Sequence, residues 1–126
     1  MALVEKAALV KFHLEVLDDP APVAGDLDWL LRYEPDNQGY RLLEARALRL
    51  RGDAAGAVAV HRARLEHRRQ RGEGRITTAA ERGEYGLALL AAGQKDDARA
   101  ELIAAMAAAP VGSRLEQEIK AALAVR

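Results

Sequence analysis

The chain has 126 residues, of which half are apolar, so it has enough apolar material for one sizeable core and we predict a single domain over residues 1–126. Alanine and leucine supply 27 and 18 residues, against 13 for valine, isoleucine and threonine together, which favours helices and excludes an all-β fold. The chain contains no cysteine, which excludes disulfides, thiol nucleophiles and thiolate metal sites. The net charge of zero conceals charges of −5 in residues 1–37, +6 in 38–78 and −1 in 79–126.

Apolar residues recur at spacings of three and four along the chain, which predicts a series of amphipathic helices. Pro35 ends the second helix because the residue before a proline disfavours the α region. Ser113 stands three residues before Glu116, which predicts a capping box at the start of the last helix. The turns between successive helices are short, so we expect three antiparallel hairpins and one closing helix. The predicted helices span residues 2–17, 22–33, 38–51, 54–71, 77–92, 96–110 and 115–125.

The third hairpin carries a pattern that is typical of helical repeats. It comprises a large–small pair, then two packing positions that are each followed by an alanine, and a closing proline: Tyr85-Gly86, Leu89, Ala98, Leu102, Ala105 and Pro110. This pattern resembles the tetratricopeptide repeat (TPR), with leucine in place of the usual aromatic residues. In the second hairpin the corresponding offsets hold Ala45, Leu48 and Ala57. In the first hairpin they hold Leu14, Val23 and Leu27.

The resemblance implies three repeats over residues 4–37, 38–71 and 79–112, with a capping helix over 113–125. The implied fold is all-α: a right-handed superhelical stack of three antiparallel hairpins, a TPR-like α-solenoid, closed by the seventh helix. Two residues depart from the pattern: Lys11 stands where the first repeat would have a small residue, and Arg69 stands where the second repeat would have the closing proline. The seven residues from 72 to 78 exceed the usual period and predict a lengthened fourth helix or a loop.

Side chains suited to catalysis or metal binding are few. His13, His61 and His67 form no i, i+4 pair and no histidine–glutamate motif of a zinc site, so we predict no metal and no cofactor. Ser113 is explained as a helix cap, and no histidine near it in the sequence could act as its base. We therefore predict that the chain is not an enzyme. His61 lies on an apolar stripe and is predicted to pack at the edge of the core.

The basic middle of the chain contains an arginine-rich segment over residues 62–75. It consists of Arg62, Arg64, Arg68, Arg69, Arg71 and Arg75. A helix would spread these side chains over more than half of its circumference, and Glu66 can pair with two of them. No aromatic residue between Tyr40 and Tyr85 could stack on bases. A solvated face is therefore favoured over contact with an acidic protein surface, and nucleic acid is the least favoured partner.

The first helix of each hairpin lines a concave groove in TPR proteins, where a partner's peptide or helix binds. Here the first helix has a second apolar stripe, formed by Ala8, Leu9, Phe12 and Val16. The third helix presents an apolar residue together with two arginines, which suit an acidic segment of a partner. The resemblance therefore implies a partner-binding groove formed by Phe12, Leu42, Arg46, Arg49, Leu87 and Leu90.

These features predict a protein–protein interaction module that acts as an adaptor, chaperone or assembly scaffold. Its partner would be another protein, bound through a peptide or an amphipathic helix. The first alternative is a homo-oligomer that buries the same surface between copies, and the second is binding of nucleic acid or an acidic surface through residues 62–75. No apolar stretch is long enough to span a membrane, and no signal pattern begins the sequence. The cytoplasm is the expected location, unless the chain is a domain of an exported or anchored protein.

Overall fold

The computed structural model describes residues 3–73 and 78–124, and the regular structure of these residues is entirely helical. The fold is therefore all-α, as predicted, and none of the described helices is long and apolar enough to cross a bilayer. Each of the seven predicted helices is present, with its ends shifted by a few residues. The helices are α1 (Leu3–Lys11), α2 (Ala24–Tyr33), α3 (Gln38–Leu50), α4 (Ala54–Gln70), α5 (Ala79–Ala91), α6 (Lys95–Ala108) and α7 (Arg114–Ala124).

The first helix changes its geometry beyond Lys11. Phe12–Val16 form a π-helical turn, in which the Leu17 N–H donates to the Phe12 carbonyl over 3.2 Å, a bond that spans five residues. Asp18 follows with a φ of +52°, a left-handed conformation that ends the helix. The wider turn shifts the side chains that come after it, and Leu17 is half exposed although it continues the apolar spacing of Val10 and Leu14. The apolar spacing predicted the extent of this helix but not its π-helical end.

The chain divides into two compact units, Met1–Arg64 and Leu65–Arg126, and the division falls within α4. In the first unit, α1 packs against α2 and α2 packs against α3. The core of this unit comes from these three helices, from the π-helical turn Phe12–Val16 and from the short 3-10 helix Ala21–Val23. It consists of Val10, Leu14, Val23, Leu27, Leu30, Leu31, Leu43 and Ala47. That residues 1–126 form a single domain stays a prediction.

In the second unit, α5 and α6 form a hairpin and α7 packs against both of them. Gly93 lies in the turn between α5 and α6 with a φ of +83°, which glycine adopts without steric cost. The core consists of Leu102, Ala105 and Ile119. The side chains packed around these three are Leu87, Met106, Leu115, Ala122 and Leu123. The last helix therefore completes the core of the second unit, because Ile119 of α7 is fully buried.

Small residues bring α5 and α6, the two helices of the hairpin in the second unit, close together. A Cβ atom added to Gly86 would lie 2.7 Å from the Cγ of Leu102, so α5 and α6 approach each other more closely than any larger residue would allow. Ala98, near the start of α6, is fully buried. Ala45 and Ala57 are also fully buried in the first unit. The prediction that small residues occupy the tightly packed positions is confirmed.

The start of α7 is capped by two side chains. The Glu116 N–H donates to Ser113 Oγ over 3.1 Å, as the capping box predicts. In a capping box the Glu116 carboxylate would accept from the Ser113 N–H. Here it accepts from the Gly112 N–H at 3.4 Å instead, and the Ser113 N–H donates to the Pro110 carbonyl. Hydrogen bonds from Lys120 and then from the Gly112 N–H lower the pKa of Glu116. The carboxylate therefore remains charged at the positive end of the helix dipole.

Candidate partner-binding surfaces

An exposed apolar surface runs along the end of the first helix. We call Ala8, Phe12, Val16 and Leu17 the α1 surface, since all four side chains are exposed. Leu9, which the sequence placed in the same stripe, is half-buried and packs against the core of the first unit. The core of this unit uses the opposite side of the helix, through Val10 and Leu14. The second apolar stripe is therefore present, but Leu9 is not part of it and Leu17 joins it.

Arg46 joins α3 to the end of the first helix. Its Nε donates to the Leu14 carbonyl over 2.6 Å, and its Nη2 donates to Asp18 Oδ1 over 2.8 Å. Only 14% of the side chain is exposed. The guanidinium group therefore satisfies a carbonyl at the end of a helix, where the regular bonding pattern stops, and also balances the charge of Asp18. This contact within the chain gives Arg46 a structural role.

The other predicted groove residues belong to different parts of the chain. Leu42 and Arg49 are half-buried on α3, in the first unit. Leu87 packs around the core of the second unit, and Leu90 lines a cleft there. Phe12, Leu42, Arg46 and Arg49 thus lie in the first unit, and Leu87 and Leu90 lie in the second. That all six residues form one continuous surface stays a prediction.

The cleft in the second unit has a volume of about 360 Å³ and lies where α5 ends, α6 begins and α7 passes. Its apolar lining consists of Leu90, Leu102, Ala122 and Leu123. Lys95, Asp96 and Arg99 add two positive charges and one negative charge. Sequence reasoning missed this cleft because its lining comes from three helices whose packing no local pattern specifies.

An exposed aromatic pair lies on α2. The rings of Trp29 and Tyr33 stack with centroids 5.3 Å apart and an angle of 4° between their planes. Lys6 Nζ lies 5.3 Å from the centroid of the Trp29 ring and 3.1 Å from Asp26 Oδ1. We call Trp29 and Tyr33 the aromatic platform. The sequence analysis did not select these residues, although their i, i+4 spacing on a predicted helix was available as a signal.

Three arginines of the arginine-rich segment pair with carboxylates of the second unit. Arg69 Nη2 lies 2.6 Å from Glu66 Oε1, and the hydrogen bond from Arg69 lowers the pKa of Glu66. Two further ion pairs, at 2.9 and 3.4 Å, join Arg71 to Glu73 and Arg68 to Glu81. Arg64 is buried and donates to the Gln38 carbonyl, whereas Arg75 lies outside the described residues. These pairs favour a solvated, internally neutralised face over a site for phosphates.

Replacing Arg69 and Arg71 together with glutamine should leave stability nearly unchanged. Both side chains are mostly exposed, and solvent screens such ion pairs so that they contribute little to stability. We expect no binding of duplex or single-stranded oligonucleotides at physiological salt, measured by fluorescence anisotropy. Binding by the wild-type chain that the double variant loses would restore nucleic acid as the partner.

His61, predicted at the core edge, is buried, and among the described residues no three histidine, aspartate or glutamate side chains cluster as metal ligands would. Comparison with protein-family models, curated proteins and solved structures finds no significant match to this chain.

Proposed function

We propose that the chain is a TPR-like protein–protein interaction module that holds a peptide or helix of a partner protein on the α1 surface. The proposal rests mainly on the exposure of Phe12, whose ring is 49% exposed although it lies on a helix that supplies the first unit's core. The repeat pattern supports it, because small residues at Ala45, Ala57 and Ala98 are fully buried. An adaptor, chaperone or assembly scaffold would use such a surface.

The α1 surface can supply part of the binding energy of such a complex. Full burial of a large apolar side chain contributes roughly 1.5–3 kcal/mol, so covering the exposed half of Phe12, Val16 and Leu17 contributes roughly 1 kcal/mol each. A micromolar complex needs about 8 kcal/mol. The partner must therefore also contact groups beyond the α1 surface.

Self-association is the alternative that the same exposed residues support. A short helical stack with an unused apolar surface can bury it against a second copy, and most homo-oligomers form in this way with closed symmetry. The two functions differ in what covers Phe12: a different protein in the first, and the same helix of another copy in the second.

The test replaces both Phe12 and Val16 with glutamate and measures capture of proteins from the source cell. The control is Ile103→Glu on α6, because Ile103 is 50% exposed and so closely matches Phe12. Proteins retained by the wild type and by the control, but lost by the double variant, would support the proposal. We expect a loss of tenfold or more in affinity for such a partner, because about 2 kcal/mol of burial is removed.

Light scattering after size-exclusion chromatography distinguishes self-association from binding of a different protein. A wild-type dimer that the double variant converts to a monomer would favour self-association. Equal capture by the double variant and the control would show that the α1 surface is not where the partner binds.

A further inference from the structure

We propose that the aromatic platform of α2 binds an arginine-bearing segment of a partner protein, with a guanidinium group stacked on Tyr33. This surface lies on a different helix from the α1 surface, and the inference does not depend on the function proposed above. It goes further, because it names the side chain by which a partner is recognised.

The two rings of the platform are not required by the core of the first unit. Leu27, Leu30 and Leu31 supply the buried face of α2. Trp29 and Tyr33 lie outside this set, with 37% and 62% of their surfaces exposed. The rings are parallel, with their centroids 5.3 Å apart, so they form a stack. A further planar group can extend this stack by lying parallel to the Tyr33 ring. Tyr33 is the more exposed ring and is the one available to a partner.

The chain already contains one cation bound in this manner. Lys6 Nζ lies 5.3 Å from the Trp29 centroid, within the range of a cation–π interaction, and pairs with Asp26 at 3.1 Å. An aromatic face next to a carboxylate therefore holds a positive charge at one end of the platform. Tyr33 provides a second aromatic face, which is more exposed than that of Trp29.

The charge around the platform favours a cationic partner. Residues 18–36 contain six carboxylates and one arginine, and the pairing of Asp18 with Arg46 and of Asp26 with Lys6 leaves a net charge of −3. Asp28 and Asp36 are exposed, and neither carboxylate forms an ion pair within residues 3–73 and 78–124. Stacking surfaces can also take up the bases of nucleic acids, but those proteins add a basic groove for the phosphates, and this surface is acidic. A positively charged protein segment fits both the rings and the charge.

Arginine fits the platform better than lysine does. Its guanidinium group is planar, stacks on aromatic faces and is more weakly hydrated than an ammonium group, while its N–H groups can still pair with carboxylates. An exposed cation–π contact of this kind corresponds to about a two- to fivefold change in affinity. The platform should therefore distinguish arginine from lysine at equal charge.

Trp29 makes the test specific, because it is the only tryptophan of the chain. Hexa-arginine and hexa-lysine peptides are titrated into the full chain while Trp29 emission is followed, and anisotropy of labelled peptides gives the dissociation constants independently. We expect hexa-arginine to perturb Trp29 emission and to bind more tightly than hexa-lysine by at most about fivefold, because an ammonium group also makes a cation–π contact but does not stack as a planar group. The interaction should weaken as salt is added, because the surrounding carboxylates attract both peptides.

Two substitutions at one position separate stacking from charge. Tyr33→Phe keeps the ring and should keep the preference for arginine, whereas Tyr33→Leu removes the ring and should make the two peptides bind equally. Circular dichroism and thermal unfolding check that both variants remain folded, which is expected because Tyr33 is mostly exposed.

Three results would overturn the proposal. The first is equal binding of the two peptides by the wild type, which would mean that only charge is recognised. The second is perturbation of Trp29 by a single-stranded oligonucleotide but not by hexa-arginine. The third is a change of Trp29 emission with protein concentration alone, abolished in Tyr33→Leu, which would make a second copy of the chain the occupant. The outcome for Phe12 and Val16 is independent of all three.

Discussion

Replacing Gly86 with alanine should lower the free energy of unfolding by about 1–2 kcal/mol, as expected for an overpacked core. The new Cβ atom would lie 2.7 Å from both Cγ and Cδ2 of Leu102 and 3.3 Å from its backbone nitrogen. Leu102 is 1% exposed in the core of the second unit, so its side chain cannot turn outward to make room. Alanine regains about 0.5–1 kcal/mol through its better helix propensity, which only partly offsets the strain. Chemical denaturation monitored by circular dichroism measures the difference.

Gly25→Ala on α2 is the matched control for this substitution. Both glycines lie within helices, but a Cβ added to Gly25 would meet no atom within 4 Å. We expect this variant to be as stable as the wild type, or more stable by up to about 1 kcal/mol. If the two variants had the same stability, α5 and α6 would not approach each other as closely as the structure indicates.

The close approach at Gly86 could be predicted because it leaves a local signal in the sequence. A pattern of small and large residues at fixed offsets places Gly86 and Ala98 in the two helices of one hairpin, and a short turn brings those helices together. The structure supports these positions by close approach and burial. The π-helical turn at Phe12–Val16 left no such signal, since its residues have the same apolar spacing as an α-helix.

The surfaces were harder to predict than the core, because a sequence does not show which side chains pair across helices. Arg46 and Arg49 of α3 were assigned to a partner because the repeat pattern leaves them outside the core. Arg46 instead contacts Leu14 and Asp18, which precede it by 32 and 28 residues. The aromatic platform was missed for a related reason, since its cation, Lys6, comes from α1 and its rings come from α2.

Replacing Arg46 with glutamate should therefore lower the free energy of unfolding by about 2 kcal/mol, because a hydrogen-bonded charged group is lost from a partly buried position. The Leu14 carbonyl would lose its donor, and a second carboxylate would face Asp18. Asp18 is 41% exposed, so solvent screens its pairing and most of the loss comes from the bond to the carbonyl. Urea denaturation of the variant and the wild type measures the change.

Arg99→Glu on α6 is the control for the change of charge, because Arg99 is exposed and forms no ion pair within the described part of the chain. We expect its effect to stay within about 0.5 kcal/mol, as for most surface substitutions.

A double-mutant cycle of Arg46→Gln and Asp18→Asn then isolates the ion pair, and asparagine suits position 18 because it tolerates the positive φ found there. If Arg46→Glu were as stable as the control but lost a partner that the wild type captures, Arg46 would belong to the groove that the sequence predicts.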